Sequence, residues 1–477
     1  MRYLIHWQLG VVLLGAALVA SGHAMIYKRD SRSATLWTLV IWLLPGVGPA
    51  LYVLLGINRV RRSAVALRGD MVRHRTAPQT APDAFAKDPF FSRPEMEHLR
   101  LLERMVDRVA SRPLLPGNRM DALAVPPQGY AAMVEAIDSA TVSVGLASYI
   151  FDGTGPGEQF VEALVRAKER GVEVRILIDA VGARYSRPSV DHILRRHGIP
   201  VALFNQRLLP FWLPAWNLRN HRKILVVDGV TGFTGGMNIK REYGRLGPNI
   251  FHDLHFRLRG PAVAHLSEVF ADDWQFTAGE ALRGAKWFPE LQPAGETFAR
   301  GIEAGPDENF ERLRWVLIGA LNAAKRSVQV ITPYFLPDPA IISALDAAAL
   351  RGVEVDIILP EHSNLPFIHW AAFGQLRQVL YRRCRVWLHP GSFDHSKLMV
   401  VDGAWMLIGS ANWDARSLRL NFEFGMECYS AEFGRQMEQL AQTHLAESRP
   451  LTLEQIDARP LPVKLRDGFA RLFAPYL

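Results

Sequence analysis

Two short stretches hold the residues best equipped for chemistry. His221-Arg222-Lys223-Ile224-Leu225-Val226-Val227-Asp228 is followed by Gly235-Gly236-Met237-Asn238, and His395-Ser396-Lys397-Leu398-Met399-Val400-Val401-Asp402 by Gly409-Ser410-Ala411-Asn412. Both read H-x-K-x4-D and then a glycine-containing turn, with Asn seventeen residues after His. If the apolar run in each is a buried strand, alternation puts His221 and Lys223 on one face, and His395 and Lys397 likewise. Two copies then bring two His, two Lys and two Asn to one site. That set suits phosphoryl transfer: one imidazole attacks phosphorus, the other protonates the leaving oxygen, and Lys223, Lys397, Asn238 and Asn412 hold the non-bridging oxygens. Two ammonium groups already balance the phosphate charge, so no metal and no cofactor is expected. A single copy would read as an ordinary strand ending in a turn aspartate; the repetition at equal offsets favours the catalytic reading. For Asp228 and Asp402, at the far end of the strand, capping a turn or pairing with a cation is favoured over touching phosphate.

The elements that must position these residues recur as well. Arg170-Gly171-Val172-Glu173-Val174 reappears as Arg351-Gly352-Val353-Glu354-Val355, each opening an apolar strand-like run. A helix-like run precedes each (159–169 and 341–350), and before that lies a strand-like run with an aromatic end (142–151 and 327–335). Strands alternating with helices predict α/β halves with parallel sheets covered on both faces. The expected arrangement is two halves related by a pseudo-twofold axis, with the motifs meeting at the seam. Both motifs lie in one chain, so no oligomer is required.

Residues 7–27 carry no formally charged side chain, and neither do residues 33–58. Each run is long enough to cross a ~30 Å hydrocarbon core. The second is interrupted by Pro45-Gly46-Val47-Gly48-Pro49, which predicts a kink or a shallow re-entrant segment. Basic residues stand both in the connecting loop (Lys28, Arg29, Arg32) and at the exit (Arg59, Arg61, Arg62, Arg68), so charge orients the hairpin only weakly, with both termini expected in the cytoplasm. Residues 59–94 read as a polar, basic linker, and 95–109 as a short helix with Leu99, Leu101, Leu102 and Met105 among its apolar positions. The domain plan is therefore a membrane hairpin at 1–58, a linker and short helix at 59–118, two catalytic halves at 119–290 and 291–448, and a tail at 449–477.

The 477 residues exceed one ordinary core. A net charge of +8 and a pI near 9.6 suit an anionic partner, either nucleic acid or an acidic lipid surface. Two cysteines, Cys384 and Cys428, without a C-x-x-C spacing exclude a disulfide framework or a zinc knuckle as the organising feature. Leu208-Leu209-Pro210-Phe211-Trp212-Leu213-Pro214-Ala215-Trp216 and Leu365-Pro366-Phe367-Ile368-His369-Trp370 read as aromatic apolar loops, lining either the core or a lipid interface. In the tail, Leu465, Phe469, Leu472 and Phe473 share a helical face, and packing of that helix on the catalytic unit is favoured over a membrane-surface helix.

On its two motifs the chain resembles the phospholipase D superfamily, and within it the bacterial cardiolipin synthases; residues 41–56 resemble the N-terminal membrane segment of the latter. The resemblance implies an α/β fold of two pseudo-symmetric phospholipase D-like halves with mixed or parallel sheets flanked by helices, preceded by a transmembrane helical hairpin. It implies His221 as nucleophile and His395 as acid/base, an order the near-symmetric sequence does not itself supply. It counts Lys223, Lys397, Asp228 and Asp402 in the catalytic signature. It also gives a carboxylate such as Asp253 or Glu423 the task of accepting a hydrogen bond from a catalytic imidazole. The implied activity is transfer of a phosphatidyl group to phosphatidylglycerol at the bacterial inner membrane, with phospholipids and the bilayer as partners and no nucleic acid. Hydrolysis by the same machinery, as in a phospholipase D or a nuclease, is the alternative; a non-catalytic lipid-binding protein is a third reading, disfavoured by two complete motifs.

Overall fold

The computed structural model describes residues 2–28, 30–57, 91, 96–185, 187–205, 218–243 and 251–476. They fall into two units, one at the N-terminus through residue 57 and one comprising the remainder. The linker expected at 59–94, apart from Phe91, and the aromatic stretch 208–216 lie outside the described residues.

In the N-terminal unit, Arg2–Tyr27 is one helix. Its segment Trp7–Tyr27 is, among the described residues, the one helix long and apolar enough to cross a membrane. Ala17, Ala20 and Ala24 pack against Ile41 and Tyr52, small side chains that let the helices approach closely. Asp30 caps the second helix, Ser31–Leu43, by accepting from the Arg32 and Ser33 amides. That helix stops before Pro45-Gly46. The chain resumes as Val47–Leu51 and a π-helical turn, Tyr52–Gly56. The Pro-Gly pair breaks the second apolar run, because proline supplies no amide to the preceding turn and Gly46 takes a positive φ of 79°.

The catalytic unit is built on one continuous mixed sheet. The first half orders its strands Val201–Phe204, Glu173–Asp179, Ser143–Ser148, Ile224–Val227, Thr231–Gly235, His255–Arg259 and Leu115–Leu123. The second repeats the order as Arg385–His389, Glu354–Pro360, Ser327–Ile331, Leu398–Val401, Trp405–Gly409, Asn421–Tyr429 and Thr297–Ala304. The halves join where Leu115–Leu123 runs antiparallel to Thr297–Ala304. The three outer strands of each half are mutually parallel. The motif strands, expected in parallel sheets, instead run antiparallel to Ser143–Ser148 and Ser327–Ile331. On their other edge they pair antiparallel with Thr231–Gly235 and Trp405–Gly409, reached through a tight turn, and so short a connection joins only antiparallel neighbours. All four residues of Ile224–Val227 and of Leu398–Val401 are buried, as a central strand covered on both faces requires.

Asp228 and Asp402 take the turn after each motif strand, with positive φ of 52° and 54°. The Asp228 carboxylate accepts from the amides of Thr141, Val142 and Ser143 at 2.8–3.2 Å. Asp402 does the same for Lys325, Arg326 and Ser327 at 2.7–2.9 Å and also meets His98 Nε2 at 2.7 Å. These aspartates thus pin the start of the neighbouring strand, which fixes the register of the motif strand. His98 belongs to the helix Glu97–Val109, whose buried side carries Leu99 and Leu102 while Leu101 points outward.

One further segment differs from its sequence reading, and the tail follows its own. The 365–370 stretch is no loop; it opens the helix Pro366–Tyr381, with proline in the first turn where its missing amide costs nothing. The tail forms the helix Leu461–Arg471 and packs on Pro366–Tyr381 through Ala470, against Ala371 and Ala372. Its apolar face points away from that contact, with Leu465, Phe469 and Leu472 all more than half exposed.

Removing a turn carboxylate forfeits charge-assisted bonds to three amides. Asp228→Ala and Asp402→Ala should each lower stability by roughly 1.5–3 kcal/mol, read as a lower denaturation midpoint of the detergent-solubilised protein. A midpoint equal to that of the wild type for both would remove the turns from the account of register.

Candidate active site

His221 and His395 sit immediately before the two motif strands, and their backbones are tied to the opposite half. The His221 amide donates to Phe422 O at 2.9 Å and the His395 amide to His252 O at 2.8 Å. The side chains follow suit. His221 Nδ1 lies 3.0 Å from Glu423 Oε2, and His395 Nδ1 lies 2.8 Å from Asp253 Oδ2. Each histidine is therefore oriented by a carboxylate from the other half. An ionised carboxylate can only accept, so Nδ1 carries the proton and Nε2 keeps its lone pair. Both imidazoles line one cleft, together with Asn238 and Asn412.

Alternation places Lys223 beside His221, with Nζ 2.7 Å from the His221 carbonyl; Lys397 makes the same contact with His395. Arg222, between them, points the other way into a buried pair with Asp273 at 2.7 Å. Asn238 Oδ1 accepts from the Ile150 amide at 3.2 Å, which fixes the side-chain amide in the cleft wall. Asp228 and Asp402 do not line the cleft. They act on strand register, the turn-capping part favoured for them from their place at the far end of the strand.

Five further side chains complete the site. Tyr243 Oη donates to Asp253 at 2.8 Å and stands 3.1 Å from His395 Nδ1. Ser410 Oγ and Asn421 Nδ2 donate to Glu423 at 2.5 and 3.1 Å. Tyr149 and Tyr334 wall the cleft, their ring centroids 5.0 Å from His221 and 6.2 Å from His395. The tyrosines were findable from the repeat, since they occupy the aromatic ends of the runs 142–151 and 327–335.

The difference between the two glycine turns has a steric cause. Gly235 and Gly409 share a φ of 150°. At the next position, a Cβ on Gly236 would collide with Asp253 Oδ1. Glu423 has one more methylene than aspartate, and Ser410 fits there, its hydroxyl bound to that carboxylate.

Burial governs the electrostatics. It lowers Lys223 to about 7 and Lys397 to about 8. Burial also pulls both imidazoles below their ordinary value. At His221 the Glu423 charge opposes that shift, whereas at His395 the positive neighbours Lys397 and Lys223 deepen it. Burial raises Asp253 to about 6. At Glu423 burial pushes the same way but is outweighed by His221, Lys223 and the Ser410 hydroxyl, leaving it more acidic than an ordinary glutamate. The two pairs are thus unequal: His221 faces a firmly ionised carboxylate, His395 one close to sharing a proton.

Sequence comparison decides the family. The model described as "Cardiolipin synthase, PLD-like domain" matches residues 133–274 and 317–445, more than half of the chain. The chain belongs to the cardiolipin synthase family of phospholipase D-like proteins. An N-terminal model, "Phospholipase_D-nuclease N-terminal", matches residues 15–56. Family relatives include cardiolipin synthase 1 of Staphylococcus epidermidis, 31% identical over 94% of both chains. The major cardiolipin synthase of Bacillus subtilis is 29% identical over 94% of this chain and 95% of its own. Among solved structures, the phosphatidylserine synthase of Haemophilus influenzae superposes with a TM-score of 0.62 at 16% identity. It covers 79% of this chain and 100% of its own, a likeness of fold. The enzymes of this family are phosphatidyltransferases, and the fold is that of their phospholipase D-like halves.

Two outcomes are expected. Gly236→Ala should displace Asp253 and with it His395, lowering kcat by about 10²-fold as a misplacement near 1 Å does, whereas Ser410→Gly, which removes the hydroxyl's bonds to Glu423 and from the Phe424 amide but introduces no clash, should cost less; equal effects would contradict the steric account. In the free protein the lysines lose their charge as pH rises through 7–8, so kcat/KM should fall across that interval. Lys223→Arg, which stays protonated, should move the alkaline limb upward from about 7 toward 8; a limb unchanged by this substitution would exclude Lys223 as its source.

Proposed function

We infer that the chain transfers a phosphatidyl group to the glycerol head group of phosphatidylglycerol, yielding cardiolipin, with His221 as nucleophile and His395 as acid/base. The crossed histidine–carboxylate pairs carry this reading. Ionised Glu423 on Nδ1 enriches Nε2 of His221 and favours attack on phosphorus. Asp253, held nearer neutrality, leaves His395 the weaker base and hence, once protonated, the better acid toward the departing alcohol.

The first step forms the bond between His221 Nε2 and phosphorus and breaks the bond from phosphorus to the leaving head-group oxygen, which takes a proton from His395. In the second, His395 removes a proton from the acceptor hydroxyl, whose oxygen displaces His221 from phosphorus. Lys223, Lys397, Asn238 and Asn412 stabilise the charge on the non-bridging oxygens in both. Tyr149, Tyr334 and Phe393, which line the cleft, restrict water and favour an alcohol as acceptor over hydrolysis.

The setting fits a lipid substrate. The N-terminal apolar helix and the broken second run support a multi-pass chain of the bacterial inner membrane with its catalytic halves in the cytoplasm, following the plan 1–58, 59–118, 119–290, 291–448 and 449–477. Both histidines come from one chain, so a monomer suffices, and no nucleic acid is needed as partner.

Purified protein in liposomes with labelled phosphatidylglycerol should give labelled cardiolipin and free glycerol. His221→Ala should abolish the product, and His395→Ala should reduce it by about 10²- to 10⁴-fold, the worth of a general acid–base group. Phosphatidic acid as the sole product would replace transfer by hydrolysis. Full turnover in both variants would remove the histidines from the reaction.

A further inference from the structure

The tail helix Leu461–Arg471 is mounted with its apolar stripe outward. Its inner side carries Asp467 and Ala470, both buried, and Ala474 follows on the same side. This side lies close on the helix Pro366–Tyr381: a Cβ on Gly374 would stand 2.7 Å from the Asp467 carbonyl. Asp467 pairs with Arg459 and Arg466. The contact is thus made by small and polar groups. Leu461, Leu465, Phe469 and Leu472 recur at helical spacing on the opposite side and are 67%, 64%, 59% and 71% exposed. Phe473, 42% exposed, borders them and meets Phe367 with ring centroids 5.7 Å apart.

A helix that only braces a water-soluble domain presents its apolar stripe inward. This one does the reverse over three turns. Lys464 and Arg471 stand on one flank of the stripe and Arg466 on the other, all exposed. The Arg466 guanidinium sits 4.5 Å from the Trp370 ring centroid. An outward apolar stripe between basic flanks complements the interface of an anionic bilayer, acyl chains against the stripe and head-group phosphates against the flanks.

The position is continuous with the cleft. Leu365 and Ile368, at the start of Pro366–Tyr381, line the cavity that holds His221 and His395. Phe367 and Trp370, one turn along, pack with the tail. A lipid entering past Leu365 would therefore leave a surface on which the tail helix rests. We propose that the helix Leu461–Arg471 and the adjoining Leu472 and Phe473 form a docking face for an anionic lipid bilayer, which seats the rim of the catalytic cleft on the membrane surface. The face commits to lipid rather than to a second copy of the chain, because its charged flanks are all of one sign and two like copies would oppose them.

The test uses the full-length protein reconstituted in vesicles of phosphatidylglycerol and phosphatidylcholine, with an environment-sensitive fluorophore attached through Phe469→Cys. Cys384 and Cys428 are buried, so the wild type serves as the labelling blank. The same fluorophore through Glu162→Cys, whose side chain is 70% exposed on a helix of the first half, gives the aqueous reference. Brominated acyl chains should quench the label at 469 and leave that at 162 unquenched. A label at 469 quenched by aqueous iodide and untouched by brominated chains would overturn the proposal. A label protected from both would overturn it in favour of a protein partner.

This readout needs no turnover, so it stands or falls apart from the reaction assigned above. With phosphatidylglycerol as substrate, Leu465→Glu/Phe469→Glu should raise the apparent KM on vesicles roughly tenfold while leaving kcat on short-chain monomeric phosphatidylglycerol unchanged. An equal loss on both substrates would assign the helix a bracing role alone.

Discussion

Everything in the catalytic unit serves one constraint: each imidazole must meet a carboxylate that arrives from the opposite half. His221 and Glu423, and His395 and Asp253, cross the seam between the halves at hydrogen-bond distance. Neither half alone can hold its own histidine in the right tautomer. The central antiparallel pairing of Leu115–Leu123 with Thr297–Ala304 brings the motifs face to face, and the turn aspartates hold the motif strands in register behind them. A one-residue slip in either strand would send His and Lys to the wrong face of the sheet.

The crossing also makes a near-symmetric site chemically unequal. Glutamate on one side and aspartate on the other differ by one methylene. That small difference admits a serine hydroxyl at Ser410, forbids a side chain at Gly236, and leaves room for Tyr243 to bind Asp253. Hydrogen-bond donors and cations accumulate on Glu423, while burial dominates at Asp253. Two imidazoles in equivalent motifs thereby acquire different affinities for a proton, as a reaction with one nucleophile and one acid requires. The lysines are held at the edge of ionisation by the same burial, which makes their charge sensitive to the arrival of an anion.

The outer parts of the molecule extend the theme of elements set by what lies on both sides of them. Small residues of the first N-terminal helix, Ala17, Ala20 and Ala24, face Ile41 and Tyr52 while leucines and valines such as Leu18 and Val19 face outward. The tail helix repeats this inversion on the catalytic unit. In both, the apolar surface is directed away from protein, an arrangement suited to a lipid environment and unsuited to water.

Much of this was legible in the sequence, because it depends on local pattern. The H-x-K-x4-D repeats, the recurring strand and helix runs and the uncharged N-terminal stretch follow from alternation, helical periodicity and length. They determined the fold class, the two halves and the residues that gather at the cleft. Spacing along the chain could not show which carboxylate serves which histidine, since Asp253 and Glu423 each lie nearer in sequence to the other's partner. It could not show the antiparallel setting of the motif strands, the part played by Tyr243, or the orientation of the tail helix, whose apolar face reads alike whether it meets a core or a membrane. Those were decided only when two distant segments came together, because a hydrogen bond or a buried face depends on what stands opposite it, and the pattern of a single segment holds no record of its neighbour.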